Sequence, residues 1–201
     1  MLRVGLTGGL ATGKSFVGRA LAELGCYWIQ ADELGHQVLR PGGEAYQAVI
    51  REFGRGILTE DGIIDRQRLA EEVFGKPERL AKLNSIVHPL VIALEERLMA
   101  EFATREPSGI AVIEAAILVE TGGHQRFDRL IVTYCDEEQQ IERAMRRPGA
   151  RRDVVLARIR RQLPIEEKMR LADYLVNTSG TKEDTLKQVR KIYESLRSIA
   201  Q

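Results

Sequence analysis

Eight residues near the start of the chain, Gly8-Gly9-Leu10-Ala11-Thr12-Gly13-Lys14-Ser15, constrain its fold more than any others. They fit G-x-x-x-x-G-K-[S/T], a loop that cradles phosphate when a strand delivers the chain to it and a helix carries it away. Both flanks are legible. Leu2 to Leu6 is a short apolar run suited to a buried strand. Phe16, Val17, Ala20, Leu21 and Leu24 then recur at helical spacing up to Gly25, a helix-stop residue. Glycine at 8 and 13 lets the backbone turn tightly and approach a phosphate chain. The N–H groups of Gly8 and of Ala11, Thr12, Gly13, Lys14, Ser15 and Phe16, together with the positive helix end, favour an anion there. Lys14 adds a full charge for the outer phosphates, and the Ser15 hydroxyl is suited to ligate Mg²⁺. The stretch therefore predicts nucleoside triphosphate binding, and the open question is how the phosphate is used.

Composition narrows the class. With 201 residues the chain can bury one core and carry insertions; 44% apolar and 29% charged residues suit a water-exposed globular fold. No apolar run approaches the roughly 20 residues of a membrane span. The first strand and loop begin almost at Met1, which leaves no room for a signal peptide and gives a cytoplasmic expectation. Cys26 and Cys135 are too few for a disulfide framework and read as reduced, buried thiols. The charge is uneven. Arg143 to Arg161 holds eight arginines and one acid, so a segment of +7 leaves −6 for the rest of a chain whose net charge is +1. Such a patch points to a concentrated anion site.

Cys26 to Ile29 reads as a second short strand, followed by Gln30-Ala31-Asp32. Ligands of open α/β sheets bind outside the carboxyl ends of the strands. Asp32 is accordingly a candidate general base or metal-contacting carboxylate, and equally a candidate N-cap for a helix over 33–39. Arg40-Pro41-Gly42-Gly43 is a break, and the region after it is largely helical. Glu44 to Phe53 is amphipathic, Leu58 to Ile64 carries an Asp-Gly turn, and Asp65 can cap a helix over 66–74. Another helix runs from Lys76 to about Val87, His88-Pro89 marks a boundary, and Leu90 to Phe102 is helical again. No central strand is expected between 32 and 106, so the region reads as a helical insertion packed over the sheet edge. His88 is either an acceptor contact or a structural histidine at the helix junction.

Ile110 to Glu114 is a buried strand ending in an acid, the Walker B pattern in which a carboxylate orients Mg²⁺ or its water. Glu120 lies further on and is expected to face the acceptor cleft. Arg129 to Tyr134 is another strand. Helices over 137–147 and 153–162, broken at Pro148-Gly149, form an arginine-rich lid. Mobile arginines suit phosphoryl transfer, where the protein mainly positions groups and neutralises charge. The lid segment has no aromatic residue to stack on bases, which weighs against nucleic acid. Tyr174 to Val176 is a last strand, its following turn at Asn177 lies near the nucleotide base, and Thr181 to Ala200 closes the chain.

Ordered together, these motifs resemble the dephospho-CoA kinase family over nearly the whole length. Leu6 to Ser15 looks like the family's opening and Ala31-Asp32 like the second half of its Asp-Ala-Asp. Leu83-Asn84-Ser85-Ile86-Val87-His88-Pro89 is similar to its Leu-Asn-x-Ile-x-His-Pro. Gln140, Arg143 and Arg147 resemble its lid helix, and Gln162, Lys168 and Ala172-Asp173 through Asn177 its C-terminal pattern. Three places depart, one of them Phe16, which follows Ser15 where the family usually has threonine. Gln30 replaces the family's first aspartate, and Glu114 to Glu120 lacks the proline of Asp-x-Pro-Leu-Leu-Phe-Glu. The implied fold is α/β, P-loop kinase-like and three-layered, with a central parallel sheet. Its core is 1–31, 106–136 and 172–201, its acceptor insertion 32–105 and its lid 137–171. The implied reaction transfers phosphate from ATP, with Mg²⁺, to the ribose 3′-hydroxyl of dephospho-CoA. Asp32 then takes the base position, with Lys14 and Arg143 beside it as catalytic groups. Arg143, Arg147 and Asn177 join the loop in binding ATP; Asp32, Asn84, His88 and Glu114 contact the acceptor. The implied partners are small molecules, without nucleic acid or membrane, on a monomer or small homo-oligomer. Rival readings are another small-molecule or nucleotide kinase, a GTPase switch (which lacks its Asn-Lys-x-Asp motif here) and a nucleic-acid-binding module.

Overall fold

The computed structural model describes all of residues 1–201, and the chain divides into two compact units: Met1–Ile29 with Glu101–Gln201, and Gln30–Ala100. The first unit is built on a five-stranded parallel sheet in the order β2-β3-β1-β4-β5. The strands are β1 (Leu2–Gly8), β2 (Tyr27–Gln30), β3 (Ile110–Glu114), β4 (Arg129–Tyr134) and β5 (Tyr174–Asn177). Apolar residues run on both faces of β1, β3 and β4, as strands covered by helices on both sides require. On one face Leu2, Val4, Leu6, Ile110, Val112, Ile131 and Val176 pack against α1 (Lys14–Glu23) and the C-terminal helix Lys182–Ala200. Val17 and Leu21 from α1 and Val189 and Leu196 from the C-terminal helix are at most 1% exposed there. Each such side chain contributes about 1.5–3 kcal/mol by leaving water.

Strand order fixes where a ligand goes. The chain leaves β1 toward β2 on one side, and leaves β3 toward β4 on the other, so the direction of crossing reverses between β1 and β3. At this switch point the connecting loops part and leave a crevice at the carboxyl ends. Leu6 and Glu114 are register partners there, two residues before the phosphate loop begins.

The remaining helices of the first unit follow β4 and lead to β5. They are α6 (Glu137–Met145), α7 (Arg152–Arg161) and α8 (Ile165–Arg170), and the C-terminal helix is α9. Helix α8 has no counterpart in the sequence reading, because six residues with four charges carry no helical period. The second unit contains α2 (Ala31–Leu39), α3 (Tyr46–Phe53), α4 (Arg66–Val73) and most of α5 (Pro77–Arg105). As expected, Asp65 caps α4 by accepting from the N–H groups of Gln67 and Arg68. The Asp-Gly turn is closed by a single antiparallel bridge, Leu58 to Ile64.

Two expectations are corrected. The boundary at His88-Pro89 is absent: α5 runs through it as one helix of 29 residues. A mid-helix proline costs about 3 kcal/mol and one hydrogen bond, yet the helix continues past it, and Val91, Leu94 and Met99 beyond it are buried. Asp32 is not an N-cap. Helix α2 starts one residue earlier, at Ala31, behind Gln30 and without a side-chain cap. Asp32 instead lies exposed in the first turn, where its charge complements the helix dipole.

Candidate active site

Gly8 ends β1 so close to β4 that a Cβ on it would lie 2.4 Å from the Thr133 carbonyl oxygen, and only glycine fits. Ala11 then takes φ 57°, the single non-glycine residue of the chain with positive φ. Gly13, at φ 84°, hands the loop to α1. The backbone N–H groups of Ala11 and Gly13 make no hydrogen bond within the protein. They sit at the positive end of α1, which makes this turn ready for an anion.

Hydroxyls lock the loop from behind. Thr12 Oγ1 donates to the Gly9 carbonyl and lies 2.8 Å from Thr133 Oγ1 on β4. Thr178 Oγ1, in the turn after β5, donates to the Thr12 carbonyl at 2.9 Å. The Arg143 guanidinium from α6 reaches the same residue, giving one hydrogen bond to Thr178 Oγ1 at 3.1 Å and one to its carbonyl at 2.7 Å. Asn177 shapes that turn, its side-chain oxygen accepting from the Ser179 N–H. The loop, β4, α6 and the β5–α9 turn are thus one hydrogen-bonded assembly.

The side chains that face the crevice are held by short bonds. Lys14 Nζ donates to the carbonyls of Gly8 and Gly9, curled over its own loop. The Ser15 hydroxyl donates to Glu114 Oε1 at 2.7 Å, and the indole N–H of Trp28 donates to Glu114 Oε2 at 3.1 Å. Phe16 follows in the first turn of α1, half-buried. Arg147 is exposed after α6 and lines a cavity of about 240 Å³ together with Leu10, Arg151 and Arg158. The structure therefore gathers Gly8, Ala11, Thr12, Gly13, Lys14, Ser15, Phe16, Glu114, Arg143, Arg147 and Asn177 around one sheet edge of the first unit. Asp32, Asn84 and His88 belong to the second unit. Asn84 and His88 are four residues apart on α5, so they share a helix face. Burial pushes the His88 imidazole below its ordinary value of 6.5, which favours the neutral ring.

Glu120 departs from its expected place in the acceptor cleft. Its carboxylate pairs with Lys168 Nζ at 2.6 Å and accepts from the Leu163 N–H. Lys168, on α8, is completely buried and also donates to the Ala116 carbonyl, which accepts from Thr7 Oγ1 as well. Beside it Gln162 Oε1 accepts from the Leu10 N–H of the phosphate loop at 2.7 Å. The segment that leaves α7 is thereby tied both to the loop and to the turn after β3. Sequence reading gave Gln162 and Lys168 no task beyond pattern, and gave Trp28, Thr133 and Thr178 none at all. Long-range pairing decides these, and no local spacing announces it.

Comparison with known proteins agrees with this geometry. The family model described as CoaE, dephospho-CoA kinase, matches residues 2–184. The dephospho-CoA kinase of Carboxydothermus hydrogenoformans is 46% identical over 193 residues, 95% of this chain and 92% of that protein. The dephospho-CoA kinase of Aquifex aeolicus is 41% identical over 98% of both chains. Among solved structures, TT1252 from Thermus thermophilus superposes with a TM-score of 0.81 at 29% identity, over 96% of each chain. The chain belongs to the dephospho-CoA kinase family.

Proposed function

We propose that the protein is a phosphotransferase that uses ATP to phosphorylate dephospho-CoA at its ribose 3′-hydroxyl, giving coenzyme A and ADP. Family membership supports the reaction. The observation that carries it to this chain is the loop itself: open amides at Ala11 and Gly13, Lys14 above them, and Ser15 against Glu114 at the switch point. In this reading the amides and Lys14 bind the outer phosphates of ATP. Arg147 and its neighbours in the lid neutralise charge on the transferring group and exclude water, a competing acceptor.

Mg²⁺ fits the donor set. It takes one or two protein oxygens and completes its shell with phosphate and water, and the adjoining Ser15 hydroxyl and Glu114 carboxylate are hard oxygens of that kind. No group of three or more His, Cys, Asp or Glu gathers in the chain, this site included, so a cation at Ser15 and Glu114 would complete its shell with substrate phosphate and water. When bound, the ion supplies charge neutralisation on the phosphate chain. Asp32, directly beyond the carboxyl end of β2, accepts a hydrogen bond from the attacking hydroxyl and takes its proton as transfer proceeds. Asn84 and His88, one turn apart on α5, are the acceptor contacts, and Asn177 borders the base. Arg143 serves catalysis by fixing the Thr178 turn under the loop as well as by its charge.

An acceptor panel with Mg·ATP tests the assignment: dephospho-CoA, nucleoside monophosphates, adenosine and water, with products weighed by mass spectrometry. Addition of one phosphoryl group to dephospho-CoA alone, lost in Lys14→Ala, is the expected result. Transfer to a different acceptor overturns the substrate and keeps the kinase.

A further inference from the structure

Glu114 is fixed from two sides, and only one of them is the phosphate loop. The residue is 7% exposed, with Oε1 on the Ser15 hydroxyl and Oε2 on the Trp28 indole N–H. Trp28 stands on β2, and its ring packs against α1 at Gly18. A Cβ at Gly18 would lie 2.4 Å from the indole Nε1 and 2.5 Å from Cε2, so any side chain there would push the indole aside. Gly18 from α1, Trp28 from β2 and Glu114 from β3 thus fit together as a set. A glutamate has one more rotatable bond than an aspartate, and a buried carboxylate with only one anchored oxygen could swing away from the loop. The indole N–H is a donor only and cannot exchange roles.

We propose that Trp28 is a positioning residue for the metal-facing carboxylate: its N–H pins one oxygen of Glu114 so that the other stays at the Ser15 hydroxyl. This rests on the reading of the loop as a Mg·ATP site. When Ser15 turns its oxygen toward a cation, Glu114 Oε1 loses the Ser15 hydrogen bond while Oε2 keeps that of Trp28. The carboxylate therefore holds its place, with Oε1 turned to the ion or its water. Outer partners that orient a metal's ligand are worth 10–100-fold in metal affinity where they have been removed. Trp28 is the single tryptophan of the chain, so its emission reports this contact directly.

The test is Mn²⁺ binding to the full protein in the presence of ADP, read by electron paramagnetic resonance, for wild type, Trp28→Phe and Gly18→Ala. Phenylalanine keeps a ring and removes the N–H; Gly18→Ala keeps the indole and moves it. Both variants are expected to bind Mn²⁺ roughly tenfold more weakly, with ADP affinity in EDTA unchanged. In wild type, Mg·ADP should alter tryptophan emission, and Glu114→Gln should abolish that response. Should Trp28→Phe fold poorly, Gly18→Ala carries the measurement. Wild-type Mn²⁺ affinity in the variants overturns the role of Trp28 while leaving the kinase reading intact. A wild-type protein that takes up no Mn²⁺ with ADP overturns the loop assignment itself.

Discussion

Gly8 and Ala11 bend the phosphate loop by different means. Gly8 does so by lacking a side chain where β4 passes, and Ala11 by holding a left-handed conformation that alanine adopts only under constraint. Gly8→Ala must displace the Thr133 carbonyl, which is part of the sheet. ATP affinity measured by calorimetry is expected to fall at least roughly a hundredfold, because the loop amides lose their common focus. The sequence showed this need for glycine through the motif alone. It did not show Trp28, whose neighbours Gly18 and Glu114 lie 10 and 86 residues away in the chain. Asp32 is a separate case. Its exposed place in the first turn of α2 leaves it without a capping task. Asp32→Asn is expected to keep the KM for ATP and to lower kcat about 10²–10⁴-fold, the range for a positioned base. Steady-state kinetics over both substrates separates the two parameters.

At the scale of elements, the connections of α7 and α8 matter more than their lengths. Gln162 ties the chain to Leu10, and Lys168 ties it to Glu120 and Ala116. A buried ion pair is a weak source of net stability when intact, yet removing one partner leaves the other poorly solvated. Lys168 is fully buried, whereas the Glu120 side chain is 18% exposed and can regain some water. Lys168→Met should therefore cost about 2–3 kcal/mol, less than the 3–5 typical of a dry pair. Urea unfolding measures it. A loss below the scatter of such fits would mean that the pair contributes nothing. Short elements such as α8 were illegible because their residues answer to distant partners. Helix α5 was misread for the opposite reason: Pro89 is a strong local signal, and the packed residues beyond it override that signal. Strands β1, β3 and β4 were plain, since strands covered on both faces must be apolar throughout.

For the molecule as a whole, no helix is long and apolar enough to cross a membrane. Burial raises both cysteine thiols, Cys26 to about 12. At pH 8 roughly 0.01% of Cys26 is then thiolate, and the native protein should leave Cys26 unalkylated by iodoacetamide until denaturant is added. His88 gives the fold a dependence on pH. Its imidazole is lowered in the folded protein, so below pH 6.5 the unfolded chain binds the extra proton more readily. Stability from this group is complete above pH 6.5 and declines as the pH falls toward the lower folded value. The urea midpoint should drop between pH 7 and pH 5, and His88→Gln should flatten that slope. The strands, the phosphate loop and the acid that ends β3 were all within reach of the sequence, because each is a local pattern tied to one kind of backbone. The hydroxyl and amide contacts behind the loop were not, because the sheet alone brings Thr12, Thr133 and Thr178 together. The most direct trial of the whole reading is ³¹P NMR of the product formed from ATP and dephospho-CoA by wild type and by Asp32→Asn. A phosphomonoester on the ribose 3′-oxygen from wild type, and almost none from the ATP-binding Asp32→Asn protein, is the expected result. Phosphate at another position, or an Asp32→Asn rate near that of wild type, would contradict it.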